Sequence, residues 1–434
     1  MMGAMTSQPA GGPADLFAYL DGSPSPFHAV GSTASRLGAA GFVERDEAAA
    51  WSTDPGRWFI RRGGSIVAWV TTERHRPTSG FRVVGAHTDS PNLRVKPGPD
   101  TGRAGHRQIG VEIYGGVLLN SWLDRDLGLS GRIVLDSDGS LDETLLLVDR
   151  PLMRVPQLAI HLDRDITQSG LQLNPQQHLV PTWGLGTSSP GELMDFVADQ
   201  AGVDPGSILG WDLMLHDLTP ATLGGVDDEF IFSARLDNLL SCHSATVALV
   251  SAAGGDPDAI PVICLFDHEE VGSVSASGAS SSMLPSVLER IIATLGGGRD
   301  ELHVALAGSA CVSADGAHGT HPNYADRHEP DHHIALNGGP VIKHNANERY
   351  ATNGTSAAMF ARACRDAGLD VQHFVNRADM PCGSTIGPVT AARLGIDTVD
   401  AGVAQLAMHS AREMVGSADP ARFTGALTAF LQAD

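Results

Sequence analysis

The first segment of this sequence that could do chemistry contains His87 and Asp89, which follow the predicted strand at residues 81–85. In an extended backbone, residues two apart point to the same side, so these two side chains can touch. A metal-bound imidazole usually donates its other N–H to a carboxylate or a carbonyl oxygen, which orients the ring. A His-x-Asp pair alone is more often structural than metal-binding, so other groups must support a metal site.

Four further carboxylates follow predicted strands. Asp237 comes after residues 230–233, where it could equally cap the next helix. Glu269 and Glu270 stand side by side after an apolar run, and adjacent carboxylates in a partly buried place repel each other unless their charge is managed. A solvated acidic turn is the alternative for this pair. Asp315 follows a small-residue strand.

His409 lies among small residues near the end of the chain, where a single histidine more often has a structural role than a metal-binding one. In chain order, however, His, Asp, Glu-Glu, Asp and His form the ligand set of a co-catalytic dizinc peptidase. Two zinc ions about 3.5–4 Å apart need one bridging carboxylate, a terminal histidine and carboxylate each, and a free carboxylate beside the bridging water. The sequence therefore predicts a dizinc peptidase site built from these residues.

The elements that must position these side chains alternate along the chain. Strand-like runs stand at residues 65–70, 81–85, 230–233, 261–266, 303–312 and 371–376, and helix-like segments stand at 239–252, 284–295 and 388–394. The alternation after residue 230 predicts a largely parallel or mixed sheet with helices on both faces. Open sheets of this kind place their sites at the carboxyl ends of strands. A last helix is predicted with Asp419 as its N-cap.

The middle of the chain has a different pattern of predicted elements from the sequence on either side of it. Short β-like runs alternate with Gly, Asp and Pro, and helices are predicted only at residues 190–202 and 204–209. We therefore predict an α/β catalytic domain made of residues 1–92 and 229–434, interrupted by a β-rich insertion at residues 93–228.

Bulk composition limits the class of partner. The formal net charge is −21, which argues against a nucleic acid partner. No apolar run approaches the roughly 18–20 residues that span a bilayer, and the amino terminus lacks the pattern of a secretory signal. The five cysteines form no CxxC pair, so we expect reduced thiols in a cytoplasmic protein.

Five segments together resemble the aspartyl aminopeptidase family of dizinc metallopeptidases, and the likeness runs from about residue 13 to the carboxyl terminus. They are residues 23–28, 85–91, 235–238, 267–273 and 408–410. The resemblance implies a bacterial member with a mixed-sheet α/β catalytic domain and an inserted β-rich dimerisation domain. It also implies a homo-oligomer, a tetrahedral dodecamer built from dimers. Asn92 is a small departure, because eukaryotic members carry Cys there.

The resemblance also implies a role for each matched residue. One zinc ion would be held by His87, Asp237 and Asp315, and the other by Asp237, Glu270 and His409, with Co²⁺ or Mn²⁺ as possible substitutes. Glu269 matches the general base, and Asp89 matches the carboxylate that orients His87. The positions that contact the peptide substrate are His161, His318, Lys343 and Tyr350.

Substrate selectivity poses a puzzle for so acidic a chain, because an acidic substrate side chain needs local positive charge. Lys343 matches the family position that meets such a side chain; without the resemblance, a solvated surface lysine would be expected. The expected activity is removal of amino-terminal Asp or Glu, although some family members prefer neutral residues. Two alternatives are a related dizinc amidohydrolase and a catalytically silent assembly protein.

Overall fold

The computed structural model describes residues 12–137 and 139–433. The described residues divide into two compact units. The first comprises residues 12–89, Ala221–Met408 and 413–433, and the second comprises Ser90–Pro220 and His409–Arg412. No helix within the described ranges is long and apolar enough to cross a membrane.

The helices of the described residues are, in chain order, α1 (Pro13–Asp21), α2 (Pro26–Ala39), α3 (Ile166–Ser169), α4 (Pro175–His178), α5 (Glu192–Ala201), α6 (Leu236–Ala252), α7 (Met283–Thr294), α8 (Arg299–Ala307), α9 (Gly354–Asp366), α10 (Ile386–Leu394) and α11 (Asp419–Leu431). The strands are β1 (Val43–Glu44), β2 (Gly56–Arg62), β3 (Ser65–Thr71), β4 (Phe81–His87), β5 (Asn92–Arg103), β6 (His106–Tyr114), β7 (Leu127–Ser137), β8 (Ser140–Met153), β9 (Thr182–Leu185), β10 (Ile208–Asp217), β11 (Thr222–Gly224), β12 (Phe230–Ser233), β13 (Ile260–Phe266), β14 (Ala310–Ala314), β15 (Ala317–His318), β16 (Val341–His344), β17 (Gln372–Val375), β18 (Asp397–Gly402), β19 (Ala404–Leu406) and β20 (Glu413–Gly416).

The first unit is built on a nine-stranded mixed sheet in the order β1-β2-β3-β13-β4-β14-β18-β16-β17. Its central strands β13, β4, β14 and β18 are mutually parallel. Successive side chains of β13 face opposite sides, as strand geometry requires. Ile263 packs into the apolar core that contains α6 and α11, and Val262 packs into the core that contains α7. The predicted mixed sheet with helices on both faces is confirmed.

The first unit also contains a five-stranded sheet in the order β11-β12-β20-β19-β15. The register of β12 against β20 places Ser233 opposite Glu413. This sheet therefore brings the end of β12, from which the chain enters α6, next to the first residue of β20.

The second unit is built on a six-stranded sheet in the order β8-β7-β10-β5-β6-β9, in which every neighbouring pair is antiparallel. Helix α5 packs its apolar side, Leu193 and Val197, into the core of this unit. The β-rich character predicted for the middle of the chain is present, and its strands are longer than the short runs visible in the sequence.

Two predicted elements and one predicted helix cap are wrong. Residues 204–209 form a short 3-10 turn that leads into β10, whose Leu213 and Leu215 alternate into a core. Residues 303–312 are divided between α8 and β14. Asp419 is the first residue of α11, and Ala418 is the cap. The Asp419 carboxylate accepts the N–H groups of Asn337 and Gly339 instead of capping the helix. In each case tertiary contacts override the local signal.

Candidate active site

The candidate site lies in the first unit, where the carboxyl ends of its parallel strands meet. His87 is the last residue of β4, and Glu269 and Glu270 follow β13 by three and four residues. Asp315 comes directly after β14. Because these three strands are parallel neighbours, they end at the same edge of the sheet, which is where sites of open α/β sheets form.

His87 is buried, and its two ring nitrogens have different surroundings. Nδ1 donates a hydrogen bond to the backbone carbonyl of Asp89 over 3.0 Å, and a carboxylate oxygen of Asp89 lies 3.5 Å away. Nε2 lies 3.4 Å from Oδ1 of Asp237 and 3.7 Å from Oδ2 of Asp315. With the proton on Nδ1, the lone pair of Nε2 faces these carboxylates, as in metal-binding histidines.

One group of three metal-ligating side chains stands out among the described residues. Ligand atoms of His87, Asp237 and Glu270 all lie within 4.8 Å of one another. An imidazole nitrogen and carboxylate oxygens are the donors that zinc accepts besides thiolates. The residues present therefore fit a zinc site.

The other two predicted metal ligands, Asp315 and His409, lie outside this group of three. Asp315 has one carboxylate oxygen near His87 and the other 3.2 Å from Nζ of Lys343. His409 belongs to the second unit, where its Nδ1 donates to the carbonyl of Gly116 over 3.0 Å. That bond leaves Nε2 of His409 as the ring's lone-pair nitrogen.

The two neighbouring glutamates have different surroundings. Glu270 belongs to the metal-ligating group, whereas burial raises the pKa of Glu269 to about 8, with the charges of Asp315, Asp89 and Asp237 acting in the same direction. The Asp89 carboxylate accepts the backbone N–H groups of both glutamates over 3.1 Å. Asp89 thus fixes the turn that separates the two carboxyl groups.

Glu413 supports the site and was not predicted from the sequence. Its buried carboxylate accepts the backbone N–H of Asp237 over 2.9 Å, and the Asn238 side chain donates to the carbonyl of Ala314. The peptide bond that joins Asp237 to Asn238 is cis. The one local signal for Glu413 is a lone acidic residue opening an otherwise uncharged strand.

Lys343 is not a surface lysine, since only 1% of it is exposed. Its ammonium group donates to Asp315 and, over 3.1 Å, to the carbonyl of Gly316. It also lies 5.0 Å from the ring centroid of Tyr350, close enough for a cation–π attraction. The structure therefore brings a buried cation, a tyrosine and a candidate ligand together.

Phe374 lies between the remaining predicted substrate contacts of this unit. Its ring centroid is 5.9 Å from that of His318 and 6.3 Å from that of Tyr350. Tyr350 is buried, which raises the pKa of its hydroxyl above the usual range. His318 is exposed, so one of these two predicted substrate contacts is buried and the other is open to solvent.

Asp400 is a second supporting residue that was not predicted. This fully buried carboxylate accepts the N–H of Ala351 over 2.6 Å and the hydroxyl of Thr385 over 2.5 Å. Gly387 is required beside it, since an added Cβ would lie 2.3 Å from Asp400 Oδ2. Asp400 thereby holds the residue next to Tyr350.

His161 lies in the second unit. The weak alternation of residues 157–162 predicts a short strand at this place, in which the histidine would be structural. His161 is instead the middle residue of an exposed 3-10 turn, Ile160–Leu162. Leu158, Ile160 and Leu162 around it are each more than half exposed. The alternative of a structural strand histidine is therefore wrong.

Comparison with known proteins gives consistent matches over almost the whole chain. Residues 19–431 match the family described as aminopeptidase I zinc metalloprotease (M18). A Streptomyces coelicolor protein named "Probable M18 family aminopeptidase 2" is 54% identical over 96% of this chain and 97% of its own length. A chain of the Ape4–Nbr1 complex aligns with a TM-score of 0.93 and 38% identity, covering 97% of this chain and 85% of that one. The S. cerevisiae mApe1 dodecamer aligns with a TM-score of 0.83 and 27% identity, covering 96% and 95%.

Proposed function

The chain belongs to the M18 family of zinc metalloaminopeptidases, and from this premise we propose that it removes amino-terminal Asp or Glu from peptides. The observation that carries the acidic preference is the buried ammonium group of Lys343, 3.2 Å from the candidate ligand Asp315. A buried cation at this place offers a charge-assisted hydrogen bond to a substrate carboxylate. It would also explain how a chain of net charge −21 binds an acidic side chain.

We propose two zinc ions per chain. His87, Asp237 and Asp315 would hold one, and Asp237, Glu270 and His409 would hold the other, with Co²⁺ or Mn²⁺ able to replace them. Zinc, when bound, lowers the pKa of a coordinated water toward ~7 and polarises a carbonyl group. The mixed imidazole and carboxylate donors of the group His87, Asp237 and Glu270 support this proposal.

Glu269 is proposed as the general base. Its carboxyl group lies outside the group formed by His87, Asp237 and Glu270, so it would remain able to accept a proton from water and deliver it to the leaving amine. Such proton transfer typically contributes about 10²–10⁴-fold in rate. Asp89 would act as a positioning residue, because it orients the His87 ring and fixes the backbone of Glu269.

Lys343, Tyr350 and His318 are the proposed contacts of the substrate within the same unit. A fourth contact, His161, is proposed to reach the active site of a neighbouring copy, where an imidazole N–H could stabilise the developing oxyanion. Its exposed 3-10 turn, flanked by exposed apolar side chains, supports an interface at this place.

The assembly is proposed to be a tetrahedral dodecamer built from dimers, with residues 93–228 as the dimerisation domain. The dodecamer of S. cerevisiae mApe1 supports this proposal. We place the protein in the cytoplasm, in line with its five free cysteines. We expect no nucleic acid and no membrane as partner.

Family membership favours an aminopeptidase over a related amidohydrolase. A silent assembly protein would have no reason to retain both the ligand group and Glu269. The test is turnover of one peptide backbone carrying Asp, Glu, Leu or Lys at its amino terminus, with zinc present. The acidic substrates should have the higher kcat/KM, an amino-acetylated Asp peptide should resist cleavage, and faster cleavage of Leu would exclude the acidic preference.

A further inference from the structure

A cavity of about 250 Å³ opens in the first unit beside His318. Phe374, Met380, Leu406 and Met408 form much of its apolar lining. An added Cβ at Gly316 would lie 3.0 Å from Cε of Met408 and 3.9 Å from Cγ of Asp237. The cavity therefore borders the segment that carries the candidate metal ligands.

The charged groups that line this cavity are already engaged. The guanidinium group of Arg377 donates to both carboxylate oxygens of Asp379, over 2.6 and 3.1 Å. The carboxylate of Glu329 accepts from Nδ1 of His332 over 2.5 Å. Nε of Arg327 lies 4.0 Å from Oδ2 of Asp326, and the side chain of Arg327 is mostly exposed.

Two histidines in the lining accept backbone N–H groups. Nδ1 of His321 accepts the N–H of Asn323, and Nε2 of His328 accepts the N–H of His321, each over 3.1 Å. Burial lowers the pKa of His328. The cavity thus combines an apolar surface with imidazole rings and with charged side chains that have partners outside the lining.

This cavity is distinct from the place proposed for acid recognition. Among the described residues, neither Lys343 nor Tyr350 lines it. Phe374 stands between the two places, since its ring contacts His318, which lines the cavity, and Tyr350, which contacts Lys343. A peptide whose first side chain meets Lys343 would therefore have this second recess beside the same metal ligands.

We infer that the cavity is the subsite for the second residue of the peptide, the one after the cleaved bond, and that it selects an aromatic or long apolar side chain. The inference rests on the proposed function, in which Lys343 and Tyr350 receive the first residue. Burial of such a side chain in an apolar pocket should raise kcat/KM by roughly 10-fold or more over glycine.

The test is a panel of four peptides with Asp or Leu first and Phe or Gly second, on one common tail. The zinc-loaded enzyme should cleave Asp-Phe peptides about 10-fold or more faster in kcat/KM than Asp-Gly peptides. Equal values would overturn the inference even where Asp is preferred to Leu at the first position. Faster cleavage after Leu would instead overturn the acidic preference, and the Phe-to-Gly ratio would still report on the cavity.

A variant localises the effect. Met380→Asp introduces a charge into the lining, so the Phe-to-Gly ratio should fall toward one while the Asp-to-Leu ratio at the first position stays unchanged. Val304→Asp on α8, half exposed and outside the lining, is the matched control and should leave both ratios as in the wild type. Met380→Ala should lower the ratio less, and an unchanged ratio in both Met380 variants would assign the selectivity to another place.

Discussion

Nζ of Lys343 lies 3.2 Å from Oδ1 of Asp315, and both residues are buried. The sequence contains only two lysines, Lys96 and Lys343, and the buried one is paired with a candidate metal ligand. Burial of an unpaired ammonium group is costly, so this contact holds Lys343 in place. The proposed acid recognition and the proposed metal binding therefore share one carboxylate.

Lys343→Met should erase the preference for Asp over Leu at the amino terminus. A charge-assisted hydrogen bond is worth roughly 1.5–3 kcal/mol, so the ratio of kcat/KM values should fall by about 10–150-fold. Lys96→Met removes the same charge from the second unit and is the matched control. A Lys343→Met enzyme that retains its metal and its wild-type ratio would contradict the assignment.

Acid should destabilise the protein partly through His28. Burial, followed by the charge of Arg235, lowers the pKa of His28 from 6.5 to about 4. Between these values the unfolded chain binds more protons, so stability is present above about pH 6.5 and is lost as the pH falls toward 4. This amounts to about 2 kcal/mol between pH 7 and pH 5.

The check on His28 is urea denaturation at pH 7 and pH 5. His28→Gln should lose less stability than the wild type between these two pH values. His303→Gln, which removes an exposed histidine on α8, should behave like the wild type. Equal pH dependence in His28→Gln and the wild type would show that His28 is not the group responsible.

Local sequence patterns predicted part of the candidate site, and contacts between residues distant in the chain determine the rest. The two-residue period predicted that His87 and Asp89 interact, and strand ends predicted where the carboxylates gather. The role of Glu413 could not be predicted from the sequence, because Glu413 contacts Asp237, which lies 176 positions away in the chain. The contact between Asp400 and Ala351 likewise depends on sheet order, which local patterns do not encode.

Chains carrying His161→Ala and chains carrying Glu269→Gln should each be nearly inactive alone. After subunit exchange they should recover activity, because a His161→Ala chain keeps its own Glu269 and receives His161 from its neighbour. His106→Ala, at an exposed histidine of the same unit, is the control and should be active alone. Mixed assemblies confirmed by mass spectrometry but still inactive would place His161 within its own site or outside catalysis.

The purified protein should contain two zinc ions per chain by elemental analysis. Asp237→Ala should lose both ions, because the proposed bridge serves both, and His409→Ala should lose mainly one. His303→Ala should retain both. Wild-type protein without transition metal, and without activity after zinc is added, would exclude the metal centre.

The most direct test of the central claim is metal content and turnover measured in parallel for Glu269→Gln and Glu270→Gln. Glu270 belongs to the group of side chains that could hold a metal ion and Glu269 does not, so we propose metal binding for Glu270 and proton transfer for Glu269. Glu269→Gln should therefore keep two zinc ions and lose about 10²–10⁴-fold in kcat, while Glu270→Gln should lose metal. A Glu269→Gln protein stripped of zinc beside a Glu270→Gln protein that holds both ions would contradict the account.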